Sequence, residues 1–128
     1  MSKRILVVDD DQDLRMQMSL YLTGLGYDVL EADSEASGAE LIATETFDAA
    51  VLDLMMENQD SGFILGYRIK KRNAAIPVII VSAVTRETGL TFDIATRDDR
   101  SWVKADAFIN KDLRFEQLSG ELQRLLGQ

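Results

Sequence analysis

Four short apolar runs, each ending at a side chain capable of chemistry, constrain this chain more than anything else in it. Ile5-Leu6-Val7-Val8 runs into Asp9-Asp10-Asp11, Ala49-Ala50-Val51-Leu52 into Asp53, and Val78-Ile79-Ile80-Val81 into Ser82. A weaker run, Ala107-Phe108-Ile109, is followed by Asn110 and Lys111. Runs this short, rich in β-branched residues and lacking polar alternation, suit strands buried on both faces of a parallel sheet. The C-terminal ends of such strands share one edge, where open α/β sheets place their ligand sites. Asp9, Asp10, Asp53, Ser82 and Lys111 are therefore expected to meet there, although far apart in sequence.

Helical patterns fill the intervals. Asp11 or Asp13 can cap a helix through about Gly24, with Leu14, Met18, Tyr21, Leu22 and Leu25 on one face. Gly26 stands where a residue at positive φ is wanted. Tyr27 to Ala32 suits a second strand. Ser34 begins a small-residue helix through about Thr44, whose Ala39, Ile42 and Ala43 allow close approach to the sheet. Asp48 to Leu54 is the third strand, Ser61 caps a helix to about Arg72, and Pro77 opens the fourth strand. The last helix, about Leu113 to Leu126, faces the core with Phe115, Leu118, Leu122 and Leu125. A polar stretch from Thr85 to Lys104 fits a loop and then a helix at about Asp93 to Val103. The expected fold is α/β: a doubly wound (βα)₅ with five parallel strands and right-handed crossovers.

At 128 residues the chain suits a single domain, 1–128, able to bury ~65–70% of its unfolded surface. No apolar stretch approaches the ~20 residues of a membrane span. The N-terminal Met1-Ser2-Lys3-Arg4 leads into a run too short for a signal peptide, so a cytoplasmic protein is expected. The 22 acidic residues outnumber the 14 basic ones, for a net charge of −8. Such a surface argues against direct contact with nucleic acid or anionic lipid. The chain has no cysteine and no histidine. That excludes disulfides, thiolate nucleophiles, imidazole bases and histidine or cysteine metal ligands. Covalent chemistry must use carboxylate, hydroxyl or amine.

Adjacent carboxylates repel unless a cation joins them. With only oxygen ligands on offer the natural cation is Mg²⁺, which binds through one or two carboxylates and accepts a phosphoryl oxygen. Asp9 and Asp10 can hold it. Asp53, at the end of the middle strand, suits a nucleophile, since carboxylates form aspartyl phosphates. The Lys111 ammonium and the Ser82 hydroxyl could then neutralise and position a phosphoryl group.

The order Asp9-Asp10, Asp53, Ser82, Lys111 on a (βα)₅ pattern resembles the receiver domain of two-component response regulators, a flavodoxin-like architecture. The resemblance spans essentially the whole chain and is strongest over Arg4-Ile5-Leu6-Val7-Val8-Asp9-Asp10-Asp11 and Val51-Leu52-Asp53-Leu54-Met55-Met56. It implies that Asp53 is the phosphoacceptor, and that Asp9, Asp10, Asp53 and the Met55 carbonyl hold Mg²⁺. It also makes Ser82 the switch hydroxyl, Lys111 the lysine contacting the phosphoryl group, and Phe108 the switch aromatic. A sensor histidine kinase or phosphotransfer domain would supply the phosphoryl group. Output would be contact with a downstream protein through the surface around the family's fourth and fifth helices; a homodimer is compatible with the sequence. The lifetime positions, two beyond the acceptor and two beyond the switch hydroxyl, are Met55 and Val84, which imply slow self-hydrolysis.

The chain departs from the family pattern in three places. Asp112 replaces the usual proline after Lys111, so a trans bond is expected there, a non-proline cis bond costing ~3 kcal/mol. The loop after Asp53 lacks its usual proline and reads one residue longer. The span between Ser82 and Lys111 is longer than usual. Phe63, Tyr67 and Trp102 read as packing residues. Two other functions fit parts of the pattern. One is a phosphorylation-independent pseudo-receiver that binds partners by shape. The other is a small phosphohydrolase of the haloacid-dehalogenase type, which also places an aspartate after its first strand but needs an acidic pair after its lysine.

Overall fold

The computed structural model describes residues 3–54, 56, 58, 60–82, 105–110 and 115–127. Five strands, β1 (Arg4–Val8), β2 (Asp28–Ala32), β3 (Ala49–Asp53), β4 (Val78–Ser82) and β5 (Ala107–Asn110), form one parallel sheet in the order β2-β1-β3-β4-β5. The helices among the described residues are α1 (Gln12–Gly24), α2 (Glu35–Thr44), α3 (Ser61–Arg72) and α4 (Phe115–Leu126). The expected doubly wound α/β sheet is present. The chain moves outward from β1 to β2, then returns past β1 to β3, and this reversal creates a crevice at the carboxyl edge.

Strand alternation divides the core into two layers. Leu6, Val8, Ala50, Leu52, Val78 and Ile80 pack with Ile42 of α2 and Phe63, Leu65 and Ile69 of α3. Ile5, Val7, Ala49, Val51, Ile79, Val81 and Ile109 face Met18 and Leu22 of α1 and Leu118 and Leu122 of α4. Every residue of β3 and β4 is buried, as their unalternating sequences require, whereas the edge strand β2 exposes Asp28 and Glu31.

Local signals explain most boundaries. Asp11 caps α1 by accepting from the Leu14 amide at 3.1 Å, and Gly26 turns the chain at φ 98°. Ser34 caps α2, and its hydroxyl and the Ser37 hydroxyl satisfy each other's backbone amides as a capping box. Arg72 of α3 donates to the Ile42 and Glu45 carbonyls and so satisfies the open end of α2. Lys70 and the Val78 amide both reach Asp106, at 2.7 and 2.8 Å, tying α3 to the start of β4.

Four local expectations need correction. Ser61 is the first residue of α3, fully buried, and Asp60 occupies the cap position without a side-chain bond. Ser61 was expected to cap because it precedes an apolar run, but its hydroxyl is used by the neighbouring helix instead. Leu25 is half exposed, because α1 has ended and the chain is already turning toward Gly26. Tyr67 is 45% exposed, whereas Phe63 packs in the core as expected. Ala43 faces solvent, and close approach of α2 comes from Gly38. A Cβ there would lie 3.1 Å from Leu65 Cδ1 and 3.2 Å from Val8 Cγ1. The expected helix at 93–103, Trp102, Val84 and the bond from Lys111 to Asp112 lie outside the described residues.

The two-layer core predicts a sharp contrast between buried and exposed leucines. Leu122→Ala, at a fully buried α4 position, should cost ~2–5 kcal/mol, while Leu20→Ala, 68% exposed on α1, should change stability by less than ~0.5 kcal/mol. Urea unfolding midpoints would measure both.

Candidate functional site at the carboxyl edge

The strand ends place three of the expected residues deep in this edge. Asp9, directly after β1, is fully buried; Asp53, the last residue of β3, is 3% exposed; Ser82, the last of β4, is 2% exposed. Asp10 is exposed at the start of the turn into α1. One carboxylate oxygen from each of Asp9, Asp10 and Asp53 lies within 4.8 Å of the others. Asp9 and Asp10, 44 and 43 positions before Asp53, thus converge on it because β1 and β3 are hydrogen-bonded neighbours, with Val8 opposite Leu52.

Three hard oxygen donors at this separation, two of them buried, suit a hard divalent cation. Repulsion among the carboxylates gives such a cation an electrostatic advantage, because desolvated like charges have little water to screen them. The donor set therefore fits Mg²⁺.

The backbone of this site is braced from two sides. The Asp9 amide donates to the Ala32 carbonyl at 3.1 Å, and the Asp9 Oδ1 accepts from the Asp11 amide at 2.8 Å. Arg15, one turn into α1, donates through Nη1 to the Asp9 carbonyl at 2.8 Å and through Nε to Glu31 at 3.1 Å. On the Asp53 side, the Leu54 amide donates to the Val81 carbonyl at 2.9 Å and the Leu54 carbonyl accepts from Gly62 at 2.8 Å. Gly62 approaches so closely that a Cβ there would sit 2.7 Å from the Asp53 carbonyl oxygen and 2.7 Å from the Leu54 Cα. No side chain fits that contact.

Phe108 on β5, in register with Ile80 of β4, lies edge-on to Phe63 with ring centroids 6.1 Å apart and planes at 72°. It is partly buried against the α2–α3 layer. Met55 and Lys111 lie outside the described residues.

Sequence reasoning missed Arg15, Glu35, Asn58 and Gly62. Glu35 Oε1 accepts from Asn58 Nδ2 at 3.0 Å and from the Ser61 hydroxyl at 2.8 Å. Those two hydrogen bonds, Asn58 first and then Ser61, hold the Glu35 carboxyl below its ordinary value of 4.5, with the nearby Arg68 charge adding to the effect against partial burial. Arg15 and Gly62 carried a readable signal, since each sits within a turn of a helix that leaves a functional strand end. Glu35 carried none, because its partners lie 23 and 26 residues away.

A five-stranded parallel sheet in this order, with a partly buried acidic cluster at the carboxyl edge, defines a class of flavodoxin-like domains whose strand-end carboxylates suit a divalent cation. Comparison with known proteins is narrower. The model of the response regulator receiver domain matches residues 5–123, and the chain belongs to that family. It is 32% identical to the transcriptional regulatory protein RprY of Bacteroides fragilis over 124 residues, which is 96% of this chain and 49% of that protein. The match spans about half the length of RprY and of the response regulator MprA of Mycobacterium ulcerans, and 18% of the transcriptional regulatory protein GlrR of Escherichia coli. Among solved structures, a CheY-like receiver domain protein from Methanospirillum hungatei superimposes with a TM-score of 0.84 at 24% identity, covering 99% of this chain and 95% of that one. The response regulator TrrA of Thermotoga maritima, solved in complex with Mg²⁺ and BeF, gives 0.78 at 24% identity, covering 96% and 98%. Receivers of this family are signalling switches of two-component systems, not enzymes in the ordinary sense. No helix of the described residues is long and apolar enough to cross a membrane.

Two outcomes follow from this geometry. Gly62→Ala should destabilise the fold by ~1–3 kcal/mol, because backbone must move to admit the methyl group; thermal unfolding would read it. For Glu35 the lowered carboxyl implies stability that is present above the unfolded value and lost as pH falls through the folded one. Wild type should therefore exceed Glu35→Gln in urea midpoint at neutral pH, and the two should converge in the acid range below 4.5.

Proposed function

We propose that the chain is a phosphorylation-dependent receiver in which Asp53 accepts a phosphoryl group. The observation that carries this reading is the convergence of Asp9, Asp10 and Asp53 at the carboxyl edge of a receiver fold. A carboxylate oxygen of Asp53 attacks phosphorus, the bond from phosphorus to the donor breaks, and an acyl phosphate forms. The donor is a histidine kinase or phosphotransfer protein, whose phosphohistidine leaves as neutral imidazole once protonated. Asp9, Asp10 and Asp53, with the Met55 carbonyl, would hold Mg²⁺, which when bound supplies positive charge to the phosphoryl oxygens. Lys111 neutralises a further oxygen, and the Ser82 hydroxyl donates to another once it turns toward the group.

Burial of Asp53 supports this reading in two ways. It keeps bulk water from the acyl phosphate, and it makes each nearby charge more effective than it would be in solvent. Rotation of Phe108, driven by the movement of Ser82 one strand away, would pass the change to the surface that a downstream protein contacts. Residues 1–128 act in this proposal as one receiver unit, cytoplasmic and signalling by protein contact. Apolar Met55 and Val84 offer no hydrogen bond to an attacking water, so the acyl phosphate is long-lived. The family match favours this function over the phosphohydrolase, and the intact carboxylate cluster favours it over a phosphorylation-independent module.

Intact mass after incubation with acetyl phosphate and Mg²⁺ tests the proposal. Wild type should gain a single phosphoryl group that persists for minutes or longer, with acetate as the leaving group. Asp53→Asn should gain none; equal uptake by the variant would remove Asp53 as acceptor.

A further inference from the structure

Glu35 lies at the start of α2, outside the carboxylate cluster, yet two side chains that donate to it belong to the segment leaving Asp53. Its Oε1 accepts from Asn58 Nδ2 and from the hydroxyl of the fully buried Ser61. Ser61 Oγ in turn accepts from the Asn58 amide at 3.2 Å, so the serine hydroxyl is used as donor and acceptor at once. The Asn58 carbonyl accepts from the Met56 amide at 3.1 Å. A continuous hydrogen-bonded path therefore runs from the Glu35 carboxylate through Asn58 to the backbone three residues after Asp53.

The ends of that segment are already held by other means. Leu54 is bonded to Val81 and to Gly62, and α3 is packed against the sheet through Phe63 and Leu65. Between these anchors Met56 packs partly buried against the core, whereas Asn58 is exposed and held by hydrogen bonds. A charged acceptor with two donors is the strongest kind of hydrogen bond available to such a turn. An acidic residue in the first turn of a helix also favours the helix dipole, but that role needs no partner in another loop.

We infer that Glu35 is a positioning residue for the metal site, holding the backbone that leaves Asp53 in the conformation that serves the cation. The inference rests on the proposed Mg²⁺-binding function. In the absence of this tether, the segment retains its two ends, the packing of Met56 and the bonds between Asn58 and Ser61. It loses the carboxylate that holds the Asn58 side chain and the Ser61 hydroxyl in place, and cation affinity falls.

Calorimetric titration with Mg²⁺, well below the unfolding transition, tests this together with hydrogen exchange at the Met56 and Asn58 amides. Glu35→Ala should weaken Mg²⁺ binding about fivefold, less than the ~10–100-fold loss typical of a partner that touches a ligand directly. Exchange at both amides should quicken. Glu35→Gln keeps an acceptor oxygen and should stay within about twofold of wild type, although its charge-dependent stability is gone. Asp10→Asn serves as the reference for a direct ligand. Normal binding by Glu35→Ala, with Asp10→Asn weakened, would overturn the positioning role alone. Failure of wild type to bind would remove the metal reading, and this inference with it. If Glu35→Ala does not fold, Asn58→Ala decides: weaker binding supports the tether, and unchanged binding overturns it.

Discussion

Burial of β3 on both faces is the constraint on which the other features depend. All five of its residues are enclosed, and Asp53 is carried into the interior by that enclosure. A carboxylate held this way gains little from water, so its stability depends on what the neighbouring strand ends provide. The end of β1 provides two more carboxylates, and the resulting excess of negative charge is what a bound cation would offset. The site is thus a consequence of sheet packing: a local electrostatic imbalance kept in place by the apolar layers above and below it.

Keeping such an imbalance in place requires stiff loops. On the β1 side a guanidinium holds the Asp9 carbonyl; on the β3 side Gly62 lets α3 press against the Asp53 carbonyl, and a carboxylate holds Asn58. Each brace uses a charged side chain or a missing Cβ, adding directional or close backbone contacts to what packing of Leu54 and Met56 supplies. The braces also connect the site to the outer layers. Arg15 joins it to α1 and Glu31 of β2, and Glu35 joins it to α2. The pairing of Phe108 with Phe63 links β5 to α3 in the same layer. A change in charge at Asp53 therefore meets elements on both faces of the sheet.

Much of this was legible in the chain itself. Unbroken, β-branched apolar runs in β1, β3 and β4 suited doubly buried strands, and Asp9, Asp53 and Ser82 sit where those runs end. Asp11 and Ser34 announced their helices by the donors that helix starts leave open, and Gly26 marked a turn that needs positive φ. Other positions were misread because a local rule met a tertiary one. Ser61 looks like a cap, but its hydroxyl is taken by a glutamate 26 residues earlier. Tyr67 and Ala43 suit a buried face by type, yet the helix phase set by Phe63, Leu65, Ile69 and Ile42 turns them outward.

Sequence alone determined the strands, their layer and the chemistry available at their ends, because burial on both faces leaves a direct imprint on residue type. The absence of histidine and cysteine likewise restricted the site to oxygen ligands. Only the tertiary structure decided the strand order, the 4.8 Å convergence of three carboxylates and the tether from Glu35 to Asn58 and Ser61. The physical reason is range. Periodicity and capping act over a few residues, whereas a hydrogen bond between α2 and the segment after β3 depends on how two helices settle on one face of the sheet.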